Sequence, residues 1–402
     1  METTFPNLRH LRAFLEVARC RQIAAAADQV HMSQPAITQA IAKLERRLGV
    51  RLFDRLPNGM IATRIGALFQ SRVERILDHL RRGAREATRL GSRRTNQYGD
   101  FDHLLTVPQL RALVAMADFR NFSLAARHLG ISQPSVHRAA RDLERRSGET
   151  LFEATGLGLN LTRSALALAR QTRLAMAEFE QAYTEIQEAL GHDVGWIKIG
   201  TLPLSRTFVL PTAINRLTEE RPDVRIRIED GPYEDLLHDL RHGELDILIG
   251  ALRDPTPSPD VVQQPMFEVP LAVVGRTGHP LSNSTSISPA DLAAYPWAVP
   301  RTGAPTRTAF DSYFEQAGVA PPNFIEASSL VLIRGLLLDS DRLALIRAHQ
   351  ILHEEQAGEL IRLPVDIPTP LRQIGLTIRK GWRPTNSQNR FLEILREATA
   401  QI

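Results

Sequence analysis

Displacing the sequence on itself by 99 positions aligns Leu11–Arg64 with Leu110–Arg163 without a gap, and 21 of the 54 pairs are identical. Chance would supply roughly three or four at typical residue frequencies. Each copy holds enough apolar residues for a small core of its own, so the repeat predicts a duplicated domain rather than a solenoid.

The pattern inside each copy is helix, helix, tight turn, helix and short ribbon. In the first copy Leu11, Phe14, Leu15 and Ala18 mark one helix face, Ala24–Gln29 form a short second helix, and His31-Met32 make the turn. Ser33 stands where an N-cap belongs and Pro35 falls in the first turn. Ile37, Ile41 and Leu44 then carry the apolar stripe of a third helix. Leu52-Phe53 and Thr63-Arg64 flank Pro57-Asn58-Gly59, a hairpin turn signal. The second copy runs the same way through Leu110–Ala117, Leu124–Leu129, Ser132-Gln133-Pro134 and a third helix to Leu143. This order predicts two winged helix-turn-helix domains, whose third helices enter the major groove.

Charge separates the copies from the rest of the chain. Residues 1–94 carry a net +10, residues 95–190 a net −1 and residues 191–402 a net −5. A cationic end suits a polyanion, because neutralising phosphates releases condensed counterions. No apolar run is long enough for a signal peptide or membrane span, so the expected place is the cytoplasm, away from membranes. The lone Cys20 excludes an intramolecular disulfide and reads as a small buried apolar residue rather than a redox sensor. No metal or cofactor is expected.

The stretch SQPAITQAIAKLERRLGVRLFDR, Ser33–Arg55, resembles the DNA-binding signature of the LysR-type transcriptional regulators. SQPSVHRAARDLERRSGETLFEA, Ser132–Ala154, resembles the same signature but has Ser147 in place of a leucine and Ala154 in place of the wing arginine. Common members carry one such head, so the duplication is itself a departure. On a helix that starts after Ser33, the residues Gln34, Pro35, Thr38 and Gln39 lie on the groove-facing side. Gln34, Thr38 and Gln39 offer donors and acceptors to base edges. Ser33, Lys43, Arg55 and Arg64 suit phosphates, which set position rather than sequence. The plainer alternative makes Ser33 a cap and Thr38 an ordinary surface residue. The matching second set is Ser132, Gln133, Pro134, His137, Arg138, Arg141 and Arg163, with a basic groove face able to read guanine. Its near-zero net charge leaves a mainly structural role open.

After each wing, apolar or small residues recur at alternating spacings of four and three. They are Phe69, Val73, Ile76, Leu80, Gly83, Ala87 and Leu90, then Leu168, Thr172, Ala175, Phe179, Ala182, Ile186 and Ala189. A mean spacing near 3.5 favours pairing with another helix. The resemblance implies dimerisation through this helix. With two in one chain, they either pair internally across the polar linker 91–99, as a built-in pseudo-dimer, or pair between chains in a homo-oligomer with four heads.

From Gly195 the texture becomes α/β. Trp196–Gly200, Val224–Ile228 and Leu245–Ile249 read as parallel strands, with helices at Leu210–Arg221 and Tyr233–His242. A second group runs from Leu271 through Leu343 to Arg347, and Ile374–Ile378 with a final helix at Asn389–Thr399 return to the first lobe. WIKIGTLPLSRTFVLPTAINRLTEERPDV and HGELDILIG resemble the effector domain of the same family, kin to periplasmic solute-binding folds. YPWAVPRTGAPTR, EASSLVLIRGLLLDSDRLALI and GLTIRKGWRP resemble the branch that contains the galactose-binding-protein regulator and regulators of aromatic-acid catabolism.

A cleft between two such lobes is where ligands usually lie. Leu204 and Ser205 lie between the first strand and its helix, where backbone N–H groups and a hydroxyl can hold a carboxylate. Pro232 and Tyr233 occupy the next such junction, while Arg301, Thr302, Ser328 and Ser329 offer facing groups from the second lobe. Arg301 can pair with a carboxylate in a bidentate manner. Equally, the serines can be helix caps and Arg301 solvated.

The expected architecture is therefore α/β multidomain. It comprises a winged helix-turn-helix at 1–65, a linker helix at 66–94 and a linker at 95–106. A second winged helix-turn-helix follows at 107–163, a second linker helix at 164–192, and a two-lobed effector domain at 193–402. The expected function is a sequence-specific, non-enzymatic transcription regulator. Its partners would be double-stranded DNA, a small-molecule effector such as a carboxylate, aromatic acid or sugar metabolite, and optionally RNA polymerase. Catalytic motifs fail: His353-Glu354 lacks the second histidine of a zinc-protease helix, Gly156-Leu157-Gly158 lacks a third glycine, and no Gly-x-Ser-x-Gly elbow is present.

Overall fold

The computed structural model describes residues 4–57, 59–91, 101–155, 158–192, 195–368 and 371–400. Asn58, Gly156-Leu157 and most of the polar linker, residues 92–100, lie outside the described residues.

The first repeat folds as α1 (Leu8–Cys20), α2 (Ile23–Val30), α3 (Gln34–Leu48), the antiparallel ribbon β1 (Phe53–Leu56) and β2 (Gly59–Ala62), and a long helix α4 (Arg64–Leu90). The second repeats it as α5 (Val107–Phe119), α6 (Phe122–Leu129), α7 (Gln133–Ser147), β3 (Phe152–Thr155), β4 (Gly158–Leu161) and α8 (Arg163–Ala189). Ser33 caps α3 through a hydrogen bond from the Ala36 amide at 3.4 Å, Pro35 occupies its first turn, and Gly49 closes it at φ 72°. Both long helices begin earlier than expected, at Arg64 and Arg163, because Thr63 and Thr162 cap them with their hydroxyls. Within the expected linker 95–106, Phe101–Leu104 form a 3₁₀ turn.

The two heads and both long helices share a single apolar core. Phe69, Val73, Ile76, Leu80 and Ala87 of α4, with Leu168, Ala175, Phe179, Ala182 and Ile186 of α8, are all buried in it. The pairing is made inside one chain: α4 packs along α8. Gly83 allows the approach, since a Cβ there would lie 2.9 Å from Gln171 Cβ and 3.1 Å from Leu168 Cδ1. Phe5 packs edge-on against Phe179 with ring centroids 5.5 Å apart. Arg12 of α1 donates to the Asp102 carbonyl at 2.6 Å and the His103 carbonyl at 3.1 Å, tying the first head to the entrance of the second.

The C-terminal half forms two five-stranded sheets. Strands β5 (Trp196–Thr201), β6 (Arg225–Asp230) and β7 (Ile247–Ala251), with helices α9 (Val209–Glu220) and α10 (Tyr233–His242), build the first lobe. Strand β8 (Val261–Val269) then leads into the second lobe. There β9 (Leu271–Arg276), α11 (Pro289–Ala293), β10 (Trp297–Val299) and α12 (Pro305–Ala317) are followed by β11 (Phe324–Glu326), α13 (Leu330–Leu338) and β12 (Leu343–Arg347). After α14 (Leu352–Gln356) and β13 (Leu360–Arg362), β14 (Arg372–Arg379) and α15 (Asn386–Thr399) return to the first lobe.

The sheet orders are β6-β5-β7-β14-β8 and β11-β10-β12-β9-β13. As expected, β5, β6 and β7 run parallel and β14 joins their sheet. The first sheet also gains β8, and β14 runs antiparallel to its neighbours β7 and β8, as β9 in the second lobe does to both of its neighbours. These strands make the double crossover, which fixes their direction.

Candidate nucleic-acid interface and interlobe cleft

In α3 the core face is Ile37, Ala40, Ile41, Leu44 and Leu48, which leaves Gln34, Pro35, Gln39 and Lys43 exposed on the other side with Ser33 at the helix start. Thr38 is half-buried and its hydroxyl donates to the Gln34 carbonyl at 3.1 Å. The wing is held by Glu45, whose Oε1 accepts from the Leu52 amide at 2.8 Å and the Phe53 amide at 3.4 Å. At the far strand the Met60 amide donates to the Arg21 carbonyl at 2.8 Å. Gly59, at φ 142°, is required there: a Cβ would come within 2.4 Å of that same carbonyl. Arg55 on the wing and Arg64 at the start of α4 are both exposed. The N-terminal half of α3, the wing and the α4 N-terminus together present amide, hydroxyl and guanidinium groups of the kind that phosphates and base edges accept.

The second head keeps the anchor: Glu144 Oε1 accepts from the Leu151 amide at 2.9 Å and the Phe152 amide at 3.0 Å. Gln133, Pro134, His137, Arg138 and Arg141 surround one shallow concavity on the face of α7. Several of these groups already have protein partners, however. Gln133 accepts from the Ser123 hydroxyl at 3.0 Å, Arg141 pairs with Glu144 at 2.7 Å, and the Ser132 and Ser135 hydroxyls bond each other at 2.8 Å. The His137 ring lies tilted against Phe122 with centroids 5.1 Å apart, and His137, Arg138 and Arg163 are all exposed. Ala154 sits at the register that Arg55 holds in the first wing. Ser147, in place of a leucine, is fully buried, and its hydroxyl donates to the Glu144 carbonyl at 3.2 Å while accepting from the Glu149 amide at 3.3 Å. The core thus tolerates it as a satisfied polar group.

Sequence reasoning missed the polar centre of the α4–α8 seam. Arg72 is wholly buried and gives every donor a partner: Glu185 through Nε and Nη2, Glu178 and Gln181 through Nη1, and the Arg383 carbonyl through Nη2 at 2.9 Å. Burial opposes ionisation of Glu178, but hydrogen bonds from Arg75 and Arg72 and their charges hold it below the usual carboxylate range. Arg75 also donates to the Gly381 carbonyl at 2.8 Å. At the other end, Glu188 of α8 accepts from the Asn386 and Ser387 amides at the start of α15. The one available signal was the spacing by seven of Glu178 and Glu185 in α8, set against Arg72 directly before Val73 of the α4 stripe.

The lobes meet where the Leu204 carbonyl accepts from His349 and where Phe208 lies against His353, centroids 5.5 Å apart. Neither histidine was expected at the cleft. Leu204 therefore faces the second lobe, but Ser205 does not offer its hydroxyl: the side chain is fully buried and bonded to the Thr201 hydroxyl at 2.8 Å and the Leu202 carbonyl at 3.0 Å. Its amide is bound to Leu202 as well. The expectation of a carboxylate held by that hydroxyl and amide is corrected here, because the tight 3₁₀ turn uses both. Pro232 immediately precedes α10, and Tyr233 is buried beneath the Arg253 guanidinium, 4.5 Å from its ring centroid. In the second lobe Arg301 and Ser328 are exposed, Thr302 donates to Glu326 at 3.4 Å, and Ser329 caps α13. These groups follow the carboxyl ends of β10 and β11, the end of a parallel sheet where ligands gather.

Comparison with known proteins gives one consistent picture. Residues 8–67 and 107–166 each match the family described as bacterial regulatory helix-turn-helix protein, lysR family, and residues 191–400 match the LysR substrate binding domain. The HTH-type transcriptional regulator GalR of Pseudomonas putida is 35% identical over 382 residues, 95% of this chain and 94% of the relative. PcaQ of Agrobacterium fabrum is 26% identical over 75% of this chain and 97% of its own length. The crystal structure of ArgP from Mycobacterium tuberculosis superposes with a TM-score of 0.53 at 16% identity, over 73% of this chain and 97% of that one, a likeness of fold.

Proposed function

Because the chain belongs to the LysR family of DNA-binding transcription regulators, with a small-molecule-binding domain at its C-terminal end, we propose that one chain reads an asymmetric operator with both of its heads. The single observation that carries this reading is the pairing of α4 with α8 inside one chain, which gives one polypeptide two heads on a common core. Head one supplies Gln34 and Gln39 to bases and Lys43, Arg55 and Arg64 to phosphates. Head two supplies Arg138, His137 and Arg163 with a plainer wing, so its half-site contributes less. The reading puts the protein in the cytoplasm, as a regulator without catalytic activity. No described helix is long and apolar enough to cross a membrane.

An effector held between the lobes, near Leu204, Tyr233, Arg301, Thr302 and Ser328, would change their closure. That movement reaches the heads through β14 and the turn after it, whose Gly381 and Arg383 carbonyls are gripped by Arg75 and Arg72. The family-wide possibility of chains assembling further, and of contact with RNA polymerase, is compatible with this unit.

Footprinting on a fragment from beside its own gene tests the reading. Gln34→Ala with Gln39→Ala is expected to remove protection from one half-site, and His137→Ala with Arg138→Ala from the adjacent one. Unchanged protection in the second variant would reduce head two to a structural element.

A further inference from the structure

We propose that the hinge-side edge of the second lobe carries an anion site, built on Arg347 of β12 and on Arg372 at the start of the first-lobe strand β14, that takes a small organic carboxylate with an apolar body. Strand β12 ends at Arg347, β9 begins beside it at Leu271 in register, and β14 begins at Arg372. Between these strand ends and α12 lies a cavity of about 410 Å³, into which both arginines face. Small-molecule sites usually have a volume of this order.

The charges are what single this cavity out. Arg347 is only 6% exposed, and its Nη1 donates to the Val269 carbonyl at 2.6 Å, which fixes the guanidinium plane. Among the described residues neither Arg347 nor Arg372 has a carboxylate partner; the charged neighbour of Arg347 is Arg372, and that of Arg372 is Arg253. Elsewhere in the same lobe Arg276, Arg307, Arg334 and Arg362 each hold an acidic side chain at 2.5–2.8 Å. A buried cation beside a half-buried one, with no counter-charge, is costly, and an anion between them removes that cost while accepting paired N–H donors.

The remaining wall selects the rest of the ligand. Leu271, Tyr313 and Pro368 offer apolar surface, and Ser312 adds a hydroxyl. A bare inorganic anion would leave that surface wet, whereas a carboxylate on a compact hydrocarbon would cover it. None of Leu204, Ser205, Tyr233, Arg301 or Ser328 lines the cavity, so the site is separate from the interlobe cleft.

Titration calorimetry on the full-length chain decides the matter, using cyclohexanecarboxylate, its neutral carboxamide and inorganic phosphate as probes. The carboxylate is expected to bind with a Kd at or below about 1 mM, and the carboxamide and phosphate at least about tenfold more weakly. Arg372→Gln and Arg347→Gln should each weaken the carboxylate by about tenfold or more, while Arg301→Gln leaves it unchanged. If Arg347→Gln fails to fold, Arg372→Gln and the cavity-filling Ser312→Trp carry the test: the first should weaken binding by about tenfold or more and the second should abolish it. The proposal is overturned by no carboxylate binding up to about 10 mM, by phosphate or carboxamide binding as tightly as the acid, or by retention in Arg372→Gln with loss in Arg301→Gln.

Discussion

Arg72 and Glu185 form a two-point ion pair across the α4–α8 seam, with Nε to Oε2 at 3.0 Å and Nη2 to Oε1 at 2.6 Å, and the arginine is fully removed from solvent. The partners stand 113 residues apart, one in the helix after each head. The pair lies in the polar centre of a seam flanked by apolar residues, so it favours one register of the two helices over shifted ones: any slip would strand a buried charge.

Replacing Arg72 by Met is accordingly expected to destabilise the head unit by about 3–5 kcal/mol, because Glu185 would be left buried without its cation and Glu178 would keep only Arg75. Adding Glu178→Met and Glu185→Met to that variant should recover most of the loss. Denaturant midpoints of the three proteins check this, and an unrecovered triple variant would count against the ion-pair explanation.

Gly83→Leu should force α4 away from α8, since even a Cβ at this position meets Gln171 and Leu168 at 2.9–3.1 Å. The expected cost is about 1–3 kcal/mol, as for overpacking elsewhere. A second consequence is specific to the paired heads: protection of two adjacent half-sites should cease to be simultaneous. Footprint length at fixed protein concentration measures it.

Within the first head, Gln39→Ala and Lys43→Ala should fail in different ways. Loss of a base-reading side chain lowers discrimination between operator and altered operator by about 1–3 kcal/mol per base pair. Loss of a phosphate contact weakens all sequences alike and reduces the slope of log K against log salt by about one. Salt titrations of both variants on matched and mismatched fragments separate the two roles.

Acid should loosen the contact between α10 and α8. Burial pushes the His242 imidazole down to about 4, and the neighbouring His238, Arg173 and Arg170 act in the same direction against a hydrogen bond to the His238 carbonyl. A histidine whose folded pKa lies below its unfolded value near 6.5 stabilises the fold fully above that value, and this contribution is lost as pH falls toward the folded one. Between pH 7 and 5 the wild-type melting temperature should therefore drop further than that of His242→Gln. Parallel curves would remove His242 from the account.

Much of this protein was legible from residue order alone. The repeat, the Ser33 cap with Pro35 behind it, and the spacing of Phe69, Val73, Ile76 and Leu80 are local or periodic signals, and periodicity dictates which face of a helix is buried. The alternation from Trp196 to Ile249 likewise determined three parallel strands with helices between them. What only the tertiary structure decided is which surfaces meet. A stripe on α4 states that it needs a partner but not whether the partner lies in the same chain; the packing against α8 answers that, and it alone reveals the enclosure of Arg72. The same holds for Ser205, whose hydroxyl looked free until a 3₁₀ turn consumed it, and for Arg347 and Arg372, which are 25 positions apart in sequence and share a cavity only because β12 ends beside the start of β14. Burial and the pairing of charges depend on contacts between distant segments, and those are set when the core closes, after local pattern has already chosen the helices and strands.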